Sequence, residues 1–267
     1  MTSSSIRLGI IGGGVMAEAI LSRLVAQKIY PAERILVSEP QQQRREHLQQ
    51  LGIKVTSVNH EAAKASEILL LAVKPQVLDL AIANLAPHKE NIIISILAGI
   101  PLSRLETAFP QKPVIRVMPN TPALVGAGIS ALAPGTHASR THIEQARALL
   151  EAVGDVVEIP ESQMDAVTGL SGSGPAFAAI AIEALADGGV AAGLPRAIAL
   201  KLSIQTVLGT AKLIQESQMH PAELKDRVTS PGGTTIAGVA ELESVGFRSA
   251  LIEAVKAASD RSKELGE

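Results

Sequence analysis

Ile6-Arg7-Leu8-Gly9-Ile10-Ile11-Gly12-Gly13-Gly14-Val15-Met16-Ala17 is the stretch on which the fold turns. Its first half, Ile6–Ile11, is a short apolar run that reads as a strand and ends directly in three glycines. From Val15 onward apolar residues recur at helical spacing (Met16, Ile20, Leu24, Ile29), so residues 15–28 read as a helix. The junction fits the pattern G-x-G-x-x-A. Gly12 permits a tight turn, Gly14 lets the backbone approach a pyrophosphate, and the small Ala17 lets helix and strand pack closely. The helix start adds unpaired N–H groups and a partial positive charge. A dinucleotide site is therefore expected at Gly12, Gly13, Gly14, Val15, Met16 and Ala17.

Outward from this stretch the first half alternates. Strands are expected at Ile35–Val37, Ile53–Val55, Ile68–Val73, Ile92–Leu97 and Val114–Val117. Helices are expected at Gln41–Gln50, residues 59–65, Pro75 to about Leu85, and Leu102–Ala108. Leu124–Leu132, Thr141–Leu150 and Val153–Ile159 complete the half. Strands without apolar–polar alternation imply burial on both faces, as in a parallel sheet. The fold class is α/β, with an N-terminal doubly wound sheet. After Pro160 strand signals vanish and helices follow at Pro175–Val190, Pro195–Gln215, Pro221–Val228, Gly233–Ser244 and Gly246–Leu265. The expected division is residues 1–160 for dinucleotide binding and 161–267 for a smaller all-α domain. Pro175–Val190 is apolar nearly all round, which implies a helix buried on most sides.

Composition narrows the function. The chain has 267 residues, 46% hydrophobic and 19% charged, with a net charge of −2. Near-neutrality gives no general attraction to nucleic acid or anionic membrane. One Tyr, three Phe and no Trp leave too few rings for base-stacking platforms. The absence of Cys removes thiolate nucleophiles, disulfides and Cys-based metal sites. The six His are scattered without ligand spacing, so no metal is expected. Met1–Ser5 lacks the basic start of a signal peptide. The uncharged stretch between Asp165 and Glu183 carries three glycines and a proline, which makes it a poor membrane span. A soluble cytoplasmic protein is expected. Gly169-Leu170-Ser171-Gly172-Ser173 approaches a nucleophile elbow but has Ser173 where a glycine is needed, which disfavours a hydrolase.

Ligands of open α/β sheets lie beyond the carboxyl ends of the strands. Ser38-Glu39 ends the second strand. Glu39 suits a ribose 2′-hydroxyl and hence NAD, whereas Ser38, Arg44 and Arg45 suit a 2′-phosphate and hence NADP. The sequence leaves both open. Val73-Lys74-Pro75 ends the fourth strand beside the cofactor. Asn120, in Met118-Pro119-Asn120-Thr121-Pro122, is expected on the nicotinamide side. In the helical half, Asp226 to Ile236 is the most unusual stretch. Ser230, Gly232, Gly233, Thr234 and Thr235 place three hydroxyls and two glycines at a helix start, which suits a small carboxylate. A simple helix cap would need only one hydroxyl.

These segments, with Ser171-Gly172-Ser173-Gly174-Pro175-Ala176 and His220-Pro221 through Thr235, resemble the pyrroline-5-carboxylate reductase family in register over essentially the whole chain. The resemblance implies a Rossmann domain, NADPH or NADH as hydride donor, and 1-pyrroline-5-carboxylate as substrate, reduced to L-proline. It implies that Asn59 reaches the adenosine end and that Ala72, Val73 and Lys74 line the cofactor. It implies that Ser230, Gly233, Thr234 and Thr235 hold the substrate carboxylate, with Thr235 also near the ring nitrogen. Glu39 departs from the Ser or Arg that NADP-preferring members often have there. Family members form dimers through the helical domain and commonly rings of five dimers. Other readings of the architecture are a 3-hydroxyacid dehydrogenase, a broader imine reductase, or a non-catalytic NADP(H) sensor. Among the Lys residues of the helical half, Lys201, Lys212 and Lys225 do not sit in a hydroxyacid motif.

Overall fold

The computed structural model describes residues 6–83, 85 and 91–266. Eight strands form one sheet: β1 (Leu8–Ile11), β2 (Ile35–Ser38), β3 (Lys54–Thr56), β4 (Ile68–Leu71), β5 (Ile92–Ser95), β6 (Val114–Met118), β7 (Gly128–Pro134) and β8 (Gly154–Glu158). Their order is β3-β2-β1-β4-β5-β6-β7-β8. The first six run parallel. β7 pairs antiparallel to β6, and β8 parallel to β7. The chain winds outward from β1 through β2 to β3, then returns to the other side of β1 as β4. That reversal opens a crevice at the carboxyl ends of β1 and β4, the position such sheets use for ligands.

Every residue of β1, β4 and β5 is buried, as their unbroken apolar runs require. One sheet face packs on α1 (Val15–Ala26), α2 (Gln42–Gln49) and α6 (Arg140–Leu150) through Ile20, Leu24, Leu48, Ala146 and Leu149. The other packs on α3 (Asn59–Ala65), α4 (Leu78–Ile82) and α5 (Leu102–Ala108) through Ala63, Leu78, Leu102 and Leu105. Each fully buried Leu or Ile contributes roughly 1.5–3 kcal/mol of transfer free energy. Two expected helices end early. α1 stops at Ala26 because Lys28 takes a left-handed φ of 58°, which throws Ile29 off the buried stripe. The helix from Pro75 begins as a 3₁₀ turn, Pro75–Val77, and α4 ends at Ile82.

Past β8 come α7 (Met164–Val167), a π turn at Thr168–Gly172, α8 (Gly174–Ala191), α9 (Arg196–Ser217), α10 (Pro221–Arg227), α11 (Thr234–Ser244) and α12 (Phe247–Gly266). The chain divides into two compact units. The first runs to Gly172 and takes back the chain end from Ala257; the second is Ser173–Lys256. This differs from the expected division after Pro160. The segment past Pro160 packs on the sheet: Met164 is fully buried among Leu69, Leu71 and Val114, and Ser262 of α12 donates to Asp165 Oδ1 at 2.7 Å.

In the second unit α8 and α9 meet along small residues. A Cβ at Gly189 would stand 3.1 Å from the Cβ of Ala199. Beyond that stripe the helices are uncovered. Ala186 is the only buried residue of α8, and Ile180, Leu202, Ile204 and Leu208 are exposed. The expectation that α8 is buried on most sides fails for one chain, because a two-helix contact covers a single stripe of each helix. By length and composition alone, Glu161–Ala191 and Arg196–Ser217 would suffice to cross a membrane.

Candidate functional site

The glycine turn follows β1 as read. Gly12 has φ 98°, and its N–H donates to Ser38 O at 2.8 Å, tying the turn to the end of β2. Gly14 is the N-cap of α1 with no side-chain cap, and open space lies where its Cβ would be. No hydrogen bond among the described residues uses the N–H groups of Gly14, Val15 or Met16, so they are available as donors. Ala17 is buried in the core, as a small residue at the third motif position should be.

These groups border a cleft of about 540 Å³. It is lined by Gly12, Gly14, Ser38, Glu39, Asn59, Ala72, Val73 and Lys74 among the residues singled out from sequence. Gly13, Val15, Met16, Ala17 and Pro75 flank it without lining it. Asn120 is not brought there: its Oδ1 accepts from the N–H of Ile129 at 2.9 Å, pinning the loop that leads into β7. Sequence reading missed Val77 and Leu80. Both are exposed apolar residues, three apart, on the turn and helix after Pro75, and they give the cleft an apolar wall for an aromatic ring. The signal was present as two apolar positions with no core to enter.

Ser38 is fully buried and its hydroxyl donates to Asn59 Oδ1 at 2.6 Å. Asn59 in turn donates from Nδ2 to Ala81 O at 2.9 Å. Glu39 Oε2 accepts from Gly13 N at 2.8 Å, and Oε1 from Gln41 N at 2.9 Å. Arg44 donates from Nε and Nη2 to Gly13 O, at 3.1 and 2.6 Å, and from Nη2 to Glu18 Oε2 at 2.7 Å. His47 Nε2 lies 2.8 Å from Glu18 Oε1. The Gly13 peptide is thus gripped by an anion at its N–H and a cation at its carbonyl.

Burial pushes the Glu18 carboxyl up, but the hydrogen bonds and charges of His47 and Arg44 outweigh this and hold it below its ordinary value of 4.5. A folded-state value below the unfolded one gives stability that is present above about pH 4.5. That stability is lost as pH falls through the folded value. The melting temperature of the wild type is therefore expected to drop on acidification below pH 4.5, with a shallower drop in Glu18→Gln. Parallel slopes in a pH series of thermal melts would remove Glu18 from the linkage.

The second candidate loop lies in the helical unit. Gly232 takes a left-handed φ of 64°, and Gly233 N donates to Ser230 O at 3.0 Å, closing a tight turn into α11. The N-cap of α11 is Gly233, with no side-chain cap. The hydroxyls of Ser230, Thr234 and Thr235 make no hydrogen bond among the described residues, and neither do the N–H groups of Thr234, Thr235 and Ile236. A plain cap would spend a hydroxyl on the first turn. Here three hydroxyls and three N–H groups are left as donors, a set suited to a carboxylate. No group of three or more His, Cys, Asp or Glu suited to a metal ion occurs among the described residues.

A family model for pyrroline-5-carboxylate reductase dimerisation matches residues 161–265, and one described as NADP oxidoreductase, coenzyme F420-dependent, matches residues 7–99. A pyrroline-5-carboxylate reductase of Synechocystis is 62% identical over 98% of this chain and 99% of its own length. One from Arabidopsis thaliana is 47% identical over 99% and 97%. Among solved structures, a pyrroline-5-carboxylate reductase from Coxiella burnetii superposes with a TM-score of 0.90, at 32% identity over 99% of this chain and 100% of its own. A Plasmodium falciparum pyrroline carboxylate reductase with NADP bound also gives 0.90, at 31% identity over 98% of each chain.

Proposed function

Because this chain belongs to the pyrroline-5-carboxylate reductase family, we propose that it reduces 1-pyrroline-5-carboxylate to L-proline at the expense of NADPH, with NADH as a second donor. The observation that carries the reading is the pairing of two donor-rich helix starts in one chain. One stands over a dinucleotide-sized cleft at the β1–β4 reversal, and the other follows the Pro231-Gly232-Gly233 turn.

The cofactor, once bound, supplies a hydride for the carbon of the C=N bond. The chain's task is placement. Gly14, Val15 and Met16 offer N–H groups to the pyrophosphate, and Val77 and Leu80 offer an apolar wall to the adenine. Ser230, Gly233, Thr234 and Thr235 hold the substrate carboxylate, and Thr235 also reaches the ring nitrogen. A protonated cyclic imine is already electrophilic, so no strong side-chain acid is required; the carboxylate that lines the cleft, Glu39, is committed to the N–H groups of Gly13 and Gln41. Orientation alone can lower such a barrier by about 7–11 kcal/mol. Oxidation of NADPH and NADH, each followed with and without pyrroline-5-carboxylate, tests the reading. Nucleotide binding without imine-dependent oxidation would point to a sensor instead.

We further propose a cytoplasmic homodimer formed through the helical unit, five of which assemble into a decamer. Support comes from the uncovered apolar residues of α8 and α9, which a lone soluble chain would expose as a contiguous patch. Leu208→Glu, at a position 58% exposed in the single chain, is expected to shift the protein to a smaller species by light scattering. An unchanged mass would place the interface elsewhere.

A further inference from the structure

NADPH differs from NADH by a single 2′-phosphate, so specificity turns on the side chain that recognises that group. Four residues at the end of β2 and on α2 are candidates by type, namely Ser38, Glu39, Arg44 and Arg45. A phosphate needs donors and positive charge. The hydrogen bonds already made decide which of the four has donors to spare.

Ser38 has none. Its single proton is committed to Asn59 Oδ1, and the residue is fully buried. Arg44 is committed twice over. Its Nε and Nη2 hold the Gly13 carbonyl, and its charge is compensated by Glu18 at 2.7 Å. Glu39 is an acceptor whose two oxygens each take a backbone N–H, and the residue is only 7% exposed. It fastens Gly13 to Gln41 across the mouth of the loop, a structural use of the carboxylate that does not require a ribose.

Arg45 differs. Its Nη1 donates to the carbonyls of Glu39 and Pro40, each at 2.7 Å, and both of those residues line the cleft. The guanidinium is thereby held by Nη1 against the backbone of two lining residues, although Arg45 itself does not line the cleft. No carboxylate lies within ion-pair distance of it among the described residues. Its Nε and Nη2 make no hydrogen bond there, so an anchored cation keeps an unspent edge. That is the geometry that suits a planar fork to a phosphate.

We propose that Arg45 recognises the adenosine 2′-phosphate of NADPH, and that Glu39 serves the glycine loop instead of selecting NADH. The proposal rests on the dinucleotide reading of the cleft and sharpens it. It requires the chain to prefer NADPH despite an acidic residue at the end of β2.

The test uses fragments that carry only the adenosine end, so that turnover plays no part. Binding of 2′,5′-ADP and of 5′-AMP to the full chain is measured by calorimetry, for the wild type, Arg45→Gln, Arg45→Lys and Arg44→Gln. The wild type is expected to bind 2′,5′-ADP at least tenfold more tightly than 5′-AMP. Arg45→Gln should lose at least tenfold for 2′,5′-ADP while 5′-AMP changes less than twofold. Arg45→Lys should recover part of the loss as a point charge. Arg44→Gln should weaken both nucleotides alike, because it loosens the loop they share. A selective loss in Arg44→Gln, equal losses in Arg45→Gln, or a wild type without preference would each overturn the assignment while leaving the dinucleotide site standing. A wild type that binds neither fragment would remove the dinucleotide reading as well.

Discussion

Gly12→Ala is expected to lower the melting temperature by about 4–24 °C and to abolish nucleotide binding. Two independent costs meet at this position. The φ of 98° is one that residues with a side chain adopt only under strain, at about 1–3 kcal/mol. The added methyl would also stand 2.7 Å from Ala72 O and 2.9 Å from Ala72 C. Those atoms belong to the backbone just past β4, a central strand buried at every position, so they cannot move aside cheaply. Overpacking of this kind typically costs a further ~1–3 kcal/mol. A sheet unit of this size shifts by roughly 2–4 °C per kcal/mol. Gly14→Ala separates folding from binding. Open space surrounds its missing Cβ, so stability should stay within about 0.5 kcal/mol of the parent while nucleotide affinity falls, the methyl intruding where the phosphates approach. A Gly12→Ala protein that melts with the parent would show that the turn is not what builds the cleft.

Thr235→Ala is expected to reduce kcat/KM for pyrroline-5-carboxylate by tenfold or more, ~1.4 kcal/mol of transition-state stabilisation per decade. The hydroxyl is a poor candidate for a structural role. It does not cap α11, whose N-cap is Gly233, and it makes no hydrogen bond among the described residues. The variant should therefore melt within about a degree or two of the parent, since exposed and half-exposed changes away from caps and cores are nearly neutral. Thr235→Ser keeps the donor and should retain most of the activity. Loss of activity with an intact melt assigns the hydroxyl to the substrate. Unchanged kcat/KM in Thr235→Ala removes it from the mechanism.

Much of this was readable along the chain. Strand runs such as Ile68–Leu71 and Ile92–Ser95 announce double-sided burial because each residue can be judged without knowing its neighbours. The glycine turn was readable for a related reason: a positive φ and a close approach select glycine locally. At Gly232 of the Pro231-Gly232-Gly233 turn the positive φ alone makes that selection. Asn120 was not readable. An amide suits a cofactor as well as a loop, and its partner, the N–H of Ile129, is named only when the loop closes.

Ser38, Glu39, Arg44 and Arg45 show where that limit lies. Their types allowed two opposite cofactor preferences, and nothing in their spacing chose between them. The choice depends on Gly13, Glu18 and Asn59, which lie some twenty residues or more away in sequence and a hydrogen bond away in space. The apolar surround of α8 was visible, but not what covers it, since one chain supplies only α9's narrow stripe. By itself, then, the amino-acid order determined the elements, the parallel sheet and the two loops that carry ligand donors, because backbone conformation and burial preference are properties of short segments. Tertiary structure alone decided which polar groups remain unspent, because a donor is free or committed according to what folding brings beside it.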